Sequence, residues 1–218
     1  MADEARRRTM MVDTQVRTAD VTKFPIISAM LKTPREAFLP SERSAAAYAS
    51  ENVPLGVANR VLLEPRTFAK MLDALNLTRD MLVLDIGSGY GYSAAVISEI
   101  AEAVVAVEED EHLADEAQQL LTEHHADNVI LHRGPLTEGA AEHGPYDAIV
   151  IEGGVETVPD TLLAQIKDGG RIACVFQEGR LGVVRVGYKL DGHVTWRFSF
   201  NAGAPVLPGF EKETAFAL

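Results

Sequence analysis

A chain of 218 residues, 47% of them hydrophobic, is the size of one globular domain with ample material for a core. A formal net charge of −12 argues against a non-specific grip on nucleic-acid backbones. There is no apolar run of about 18 residues that could span a membrane, and residues 1–8 lack the apolar centre of an export signal. The single cysteine, Cys174, lies in an apolar run, so a packed thiol and a reducing cytoplasm are expected.

Residues 1–80 read as an N-terminal helical extension. Met10 to Arg17 and Ile26 to Leu31 carry short helical patterns, broken by Pro25 and Pro34. Ser44 to Ala49 reads as another short helix, and Val61 to Leu63 is open between loop and strand. Pro65 suits the first turn of a helix carrying Phe68, Met71, Leu72 and Leu75.

From residue 81 strands and helices alternate, and 81–218 reads as one compact core. The strands are expected at 81–85, 103–108, 129–132, 146–151 and 171–176. The helices are expected at about 92–101, 110–125 and 159–166, with Gly169 and Gly170 ending the last one. Two late strands, 181–190 and 193–200, meet at Asp191-Gly192, a hairpin signal. This predicts an α/β fold: a Rossmann-like, mostly parallel seven-stranded sheet closed by a C-terminal antiparallel hairpin.

Leu82 to Tyr92 carries the chemistry. A buried strand ends at Asp85, and Gly87, Gly89 and Gly91 then form a loop that leads into a helix. The dinucleotide fingerprint requires glycine where Tyr92 stands, so that pattern fails. A pyrophosphate would be repelled by Asp85, whereas the sulfonium and ammonium groups of S-adenosyl-L-methionine would be attracted. Glu108, ending the next strand, can accept both ribose hydroxyls. The expected site is an acidic pocket walled by bare backbone at 85–91 and closed by Glu108. It requires both acids on one side, with no side chains filling the space between them.

Further segments give the chain a resemblance. Met11 to Arg17, Pro34 to Pro40, Ala47-Tyr48, Pro54 to Gly56, Tyr146 to Val150 and Leu163 to Arg171 all resemble the protein-L-isoaspartate O-methyltransferases. The resemblance implies a Rossmann-like methyltransferase that uses S-adenosyl-L-methionine to methylate isoaspartyl carboxylates in damaged proteins or peptides. It implies a repair role on protein or peptide substrates; the charge predicts no nucleic-acid partner, the hydropathy no membrane partner and the histidine pattern no metal. It also implies cofactor contacts at Asp85, Gly87, Ser88, Gly89, Tyr90, Glu108, Glu109, Pro135, Leu136 and Glu152.

The chain departs from the family at three places. The family's active-site threonine and serine correspond to Arg60 and to Leu62 or Leu63, so Arg60 and Leu62 hold the altered catalytic positions. An acid after the third strand is absent at Gly134-Pro135-Leu136, and Glu152-Gly153-Gly154 replaces Thr-Ala-Ala. Arg60 reads either as a clamp for a substrate carboxylate or as a surface loop residue. Glu152 reads either as a contact near the methyl group or as a solvated acid. Two alternatives stand beside repair: methylation of another substrate, and a non-catalytic binding or sensor protein. His124 and His125 sit together at an expected helix end, while His112, His132, His143 and His193 read as scattered, so no metal set is expected.

Overall fold

The computed structural model describes residues 2–57 and 59–212. Ala58, in the segment that departs from the family, and 213–218, at the end of the expected core, lie outside the described residues.

Seven strands form one sheet in the order β5-β4-β3-β6-β7-β8-β9. They are β3 (Leu82–Ile86), β4 (Ala103–Glu108), β5 (Val129–Arg133), β6 (Tyr146–Val155), β7 (Ile166–Glu178), β8 (Leu181–Leu190) and β9 (His193–Asn201). The first five are parallel, and β8 runs against both of its neighbours. The late hairpin turns at Asp191 and Gly192, both with positive φ, as a tight two-residue turn requires.

Side chains alternate between two apolar layers. Val83, Val104, Ala106, Ala148, Val150, Ala173 and Val175 face one layer. Leu84, Ile86, Val105, Val107, Ile149, Ile151, Ile172 and Cys174 face the other. Strands buried on both faces read as continuous apolar runs, which is why they are visible in the sequence.

The first eighty residues cover the first layer. They comprise α1 (Ala2–Met11), a π-helical turn over Val12–Val16, α2 (Phe24–Lys32), short 3₁₀ turns, a two-stranded hairpin of β1 (Val53–Pro54) and β2 (Val61–Leu62), and α3 (Pro65–Leu75). Met11, Val16, Met30, Phe38, Phe68 and Leu72 share one core with the sheet. The second layer is covered by the short helix Asp160–Ala164 and by the tail through Leu207 and Phe210.

Two expectations need correction. Pro25 does not break a helix; it sits in the first turn of α2, where its missing N–H costs nothing. Gly169 and Gly170 do not cap a helix. They lie in β7, which begins at Ile166 opposite Tyr146, with a register shift before Ala148 pairs with Arg171.

Candidate functional site

At β3 the chain order reverses: β4 and β5 lie to one side and β6 to β9 to the other. In open parallel sheets a crevice forms at the carboxyl ends of the strands beside such a point. The loop after β3 stands there. Gly87, Gly89 and Gly91 all have positive φ, at 78°, 57° and 92°. Residues with a Cβ avoid that region, so the glycines allow the turn into α4 (Tyr92–Ser98). The amides of Gly87 and Ser88 donate to the Val107 carbonyl, fixing the loop against the end of β4.

Asp85 and Glu108 lie on the same side of the sheet, and both are fully buried. Glu108 accepts hydrogen bonds from the amides of Gly89 (2.8 Å), Glu109 (3.0 Å) and Asp110 (3.1 Å). Asp85 accepts from Ser93 Oγ at 2.6 Å through Oδ2, while its Oδ1 has no hydrogen-bond partner among the described residues. Glu152, on β6, is also buried and keeps Oε1 without a partner. Its expected reading as a solvated acid is wrong, because β6 continues four residues past Ile151 and carries it inside.

Burial pushes Asp85 up to about 7; the Ser93 hydrogen bond and the Arg60 charge hold it down, and the Glu108 charge adds to the rise. Burial, and then Asp85, keep Glu152 well above the usual carboxylate range. A carboxyl raised in the folded state favours folding at low pH, and that advantage disappears as pH climbs through the folded value. Urea unfolding should therefore show stability falling between about pH 4 and pH 7, by about 1.4 kcal/mol per unit of upward shift. Asp85→Asn should flatten that slope. An unchanged slope in the variant would assign it to other groups.

The space between the two acids is not empty. Arg60, just before β2, is 3% exposed. Its Nη1 and Nη2 donate to Glu108 Oε1 at 2.7 Å and Oε2 at 2.5 Å. A Cβ built on Gly87 would lie 3.4 Å from Arg60 Nη2 and 3.4 Å from Leu207, and one on Gly89 would lie 2.5 Å from Leu55. The bare-backbone wall is real, but this chain's own side chains rest on it. The surface-loop reading of Arg60 fails, and so does the expectation of a clear pocket.

Among the other expected residues, Ser88, Tyr90 and Leu136 are buried around the same seat, and Leu62 is buried in the hairpin. Ser88 Oγ has no hydrogen-bond partner, Leu136 lies 3.8 Å from the Gly87 Cβ position, and Leu62 pairs with Val53 in the hairpin. Glu109 and Pro135 are exposed at the rim, where Glu109 accepts from the Leu136 amide at 3.4 Å. Leu55, Ser93, Arg35 and Leu207 also shape the seat and were missed as site residues. Arg35 and Leu55 stand in segments that carry the resemblance; Ser93 and Leu207 do not.

The seat holds three buried carboxylates, and two of them have an unpartnered oxygen. Such a set calls for cationic or hydroxyl donors. With Arg60 withdrawn, Glu108 would offer both oxygens to a vicinal diol, and Asp85 and Glu152 would face a cation. The residues therefore fit a positively charged sulfur nucleoside, provided Arg60 leaves.

The histidines are not all scattered. His132 Nδ1 and His143 Nε2 each lie 3.4 Å from Glu142 Oε1. These three groups could hold a metal ion, but the Glu142 side chain is 67% exposed and water competes for it.

Residues 6–198 match the family described as Protein-L-isoaspartate(D-aspartate) O-methyltransferase. A Rhodopseudomonas palustris protein named protein-L-isoaspartate O-methyltransferase is 42% identical over 162 residues, 74% of each chain. A Shewanella sediminis protein-L-isoaspartate O-methyltransferase 2 is 35% identical over 196 residues, 89% of this chain and 80% of its own. A solved protein-L-isoaspartate O-methyltransferase superposes with a TM-score of 0.81 at 26% identity, covering 93% of this chain and 66% of that one. The fold also recurs, with a TM-score of 0.79 at 17% identity, in a Plasmodium falciparum structure solved with S-adenosyl-L-homocysteine; coverage is 92% of this chain and 97% of that one. The chain belongs to the protein-L-isoaspartate O-methyltransferase family.

Proposed function

We propose that this chain is a cytoplasmic S-adenosyl-L-methionine-dependent O-methyltransferase acting on isoaspartyl carboxylates of damaged proteins or peptides. One observation carries the reading: Asp85, the loop 87–91 and Glu108 converge at the reversal point of the sheet, in a chain of this family. The bound cofactor supplies an electrophilic methyl group. Glu108 would hold its ribose hydroxyls, and Asp85 and Glu152 would meet its cationic end. Gly87, Ser88, Gly89 and Tyr90 would form the wall, and Glu109, Pro135 and Leu136 the adenine side.

A carboxylate substrate is already ionised at neutral pH, with a reference pKa near 4, and needs no general base. The protein's contribution is to position that carboxylate and exclude water from it. Leu55 and Leu207 keep the seat apolar beside its glycine loop. Arg60 and Leu62 occupy the altered catalytic positions.

The test is incubation with methyl-labelled S-adenosyl-L-methionine and an isoaspartyl peptide, with the normal aspartyl peptide as control. Alkali-labile label on the isoaspartyl peptide alone is expected. No ester, with a standard enzyme active in parallel, would reject that substrate.

A further inference from the structure

We infer that Arg60 is a tethered competitor for the cofactor's ribose seat, so that the nucleoside and the Arg60 guanidinium exclude each other on Glu108. The inference rests on the cofactor reading above and adds what the chain's own side chain does to that site.

Glu108 has two oxygens, and Arg60 donates one N–H to each, at 2.7 and 2.5 Å. A ribose diol needs the same two acceptors. The guanidinium also rests on Gly87, 3.4 Å from where a Cβ would stand, on the face a ligand must approach. Both groups cannot be seated at once.

The exchange is physically accessible. A buried ion pair roughly breaks even against the desolvation of its two charges, so releasing it into water carries only a modest net cost. Glu108 would keep its three backbone N–H donors. Arg60 sits at the end of a turn held by two backbone hydrogen bonds, from Arg60 N to Val57 O and from Leu55 N to Arg60 O. Gly56, in the same turn, has φ of 86° and open space around it. Outside the turn lies a groove of about 540 Å³ lined in part by Leu39, Gly56, Val57, Tyr90 and His112, giving the released turn room to move. As the guanidinium leaves Glu108, the ligand's ammonium would bring a positive group to the neighbouring acids Asp85 and Glu152.

The consequence is quantitative. When the competent form is a minor population, the apparent dissociation constant rises by the inverse of that population. Removing the competitor should tighten binding by about 10- to 100-fold for an occupancy of about 90–99%.

The experiment is calorimetric titration of S-adenosyl-L-homocysteine into wild type, Arg60→Met and Arg60→Gln, with hydrogen exchange at the Leu55 and Arg60 amides of the wild type. Binding tighter in both variants than in wild type, by about 10- to 100-fold, is expected. Faster exchange at those two amides on saturation of the wild type is also expected. Wild-type binding as tight as that of the variants, with unchanged exchange, would overturn the inference and leave the cofactor reading standing. Binding by none of the three would overturn both. Should either variant fail to fold, the other variant and the wild-type exchange measurement still decide between these outcomes.

Discussion

Replacing Glu108 by alanine is expected to cost the folded chain about 3–5 kcal/mol, because it strands a buried guanidinium. Arg60 donates both of its Glu108 hydrogen bonds from a position that is 3% exposed. The amides of Gly89, Glu109 and Asp110 lose their acceptor in the same step. Arg60→Met should cost less, about 1–3 kcal/mol, since three N–H groups still solvate the Glu108 carboxylate. The double variant should recover part of the larger loss, giving a coupling energy of about 1–3 kcal/mol in a urea double-mutant cycle. Additive effects, within about 0.5 kcal/mol, would mean that the two side chains do not share a buried bond. Binding separates the same variants in another way. Arg60→Met should bind S-adenosyl-L-homocysteine more tightly than wild type, whereas both Glu108→Ala chains should lose it.

The second large effect is expected at Arg35, which is fully buried beneath the site. Its Nε donates to the Ala47 carbonyl at 2.6 Å, and its Nη2 to the Leu63 carbonyl at 2.6 Å. The guanidinium carbon lies 4.9 Å from the centre of the Tyr92 ring. One side chain thus ties three sequence-distant segments of the N-terminal region together, the last of them immediately after β2. Arg35→Ala removes two hydrogen bonds, leaves buried carbonyls unpaired and opens a cavity; a loss of about 3–5 kcal/mol is expected. For a chain of this size that is a fall of roughly 6–20 °C in the midpoint of thermal unfolding followed by circular dichroism. Arg35→Lys should recover only part of it, because a single ammonium cannot reproduce the fixed fork of donors. A fall below about 3 °C for Arg35→Ala would show that the carbonyls find other donors.

What the sequence made legible follows from periodicity. Leu82 to Leu84, Val104 to Val107 and Ala148 to Ile151 are apolar on both faces, so each could be read as a buried parallel strand without knowledge of its neighbours. The glycines at 87, 89 and 91 were legible because positive φ is something few other residues tolerate. Arg60 was not, since a charged residue in a loop reads as solvated, and its partner stands 48 positions away. Glu152 failed for a related reason: β6 runs past the expected strand end, and the extra residues carry the acid inward. Leu207 left no signal, because a lone leucine in an irregular tail has no period to betray its burial. His132 and His143 meet only because β5 and the turn at Ala141–His143 are neighbours in space. Local pattern thus revealed the scaffold, while long-range pairing decided what fills the seat.

The tail has a consequence for how the protein is made. Gly154 donates to the Pro205 carbonyl at 2.7 Å, Leu207 donates back to the Gly154 carbonyl at 2.9 Å, and the Leu207 side chain packs on both Gly153 and Gly87. One wall of the seat is therefore supplied by residues synthesised after every strand of the sheet. A chain ending at Asn201 would hold all seven strands but leave the glycine loop open on that side. Completion of the seat waits on the last residues made, and S-adenosyl-L-homocysteine is expected to slow proteolysis of the full chain but not of a released chain truncated after Asn201.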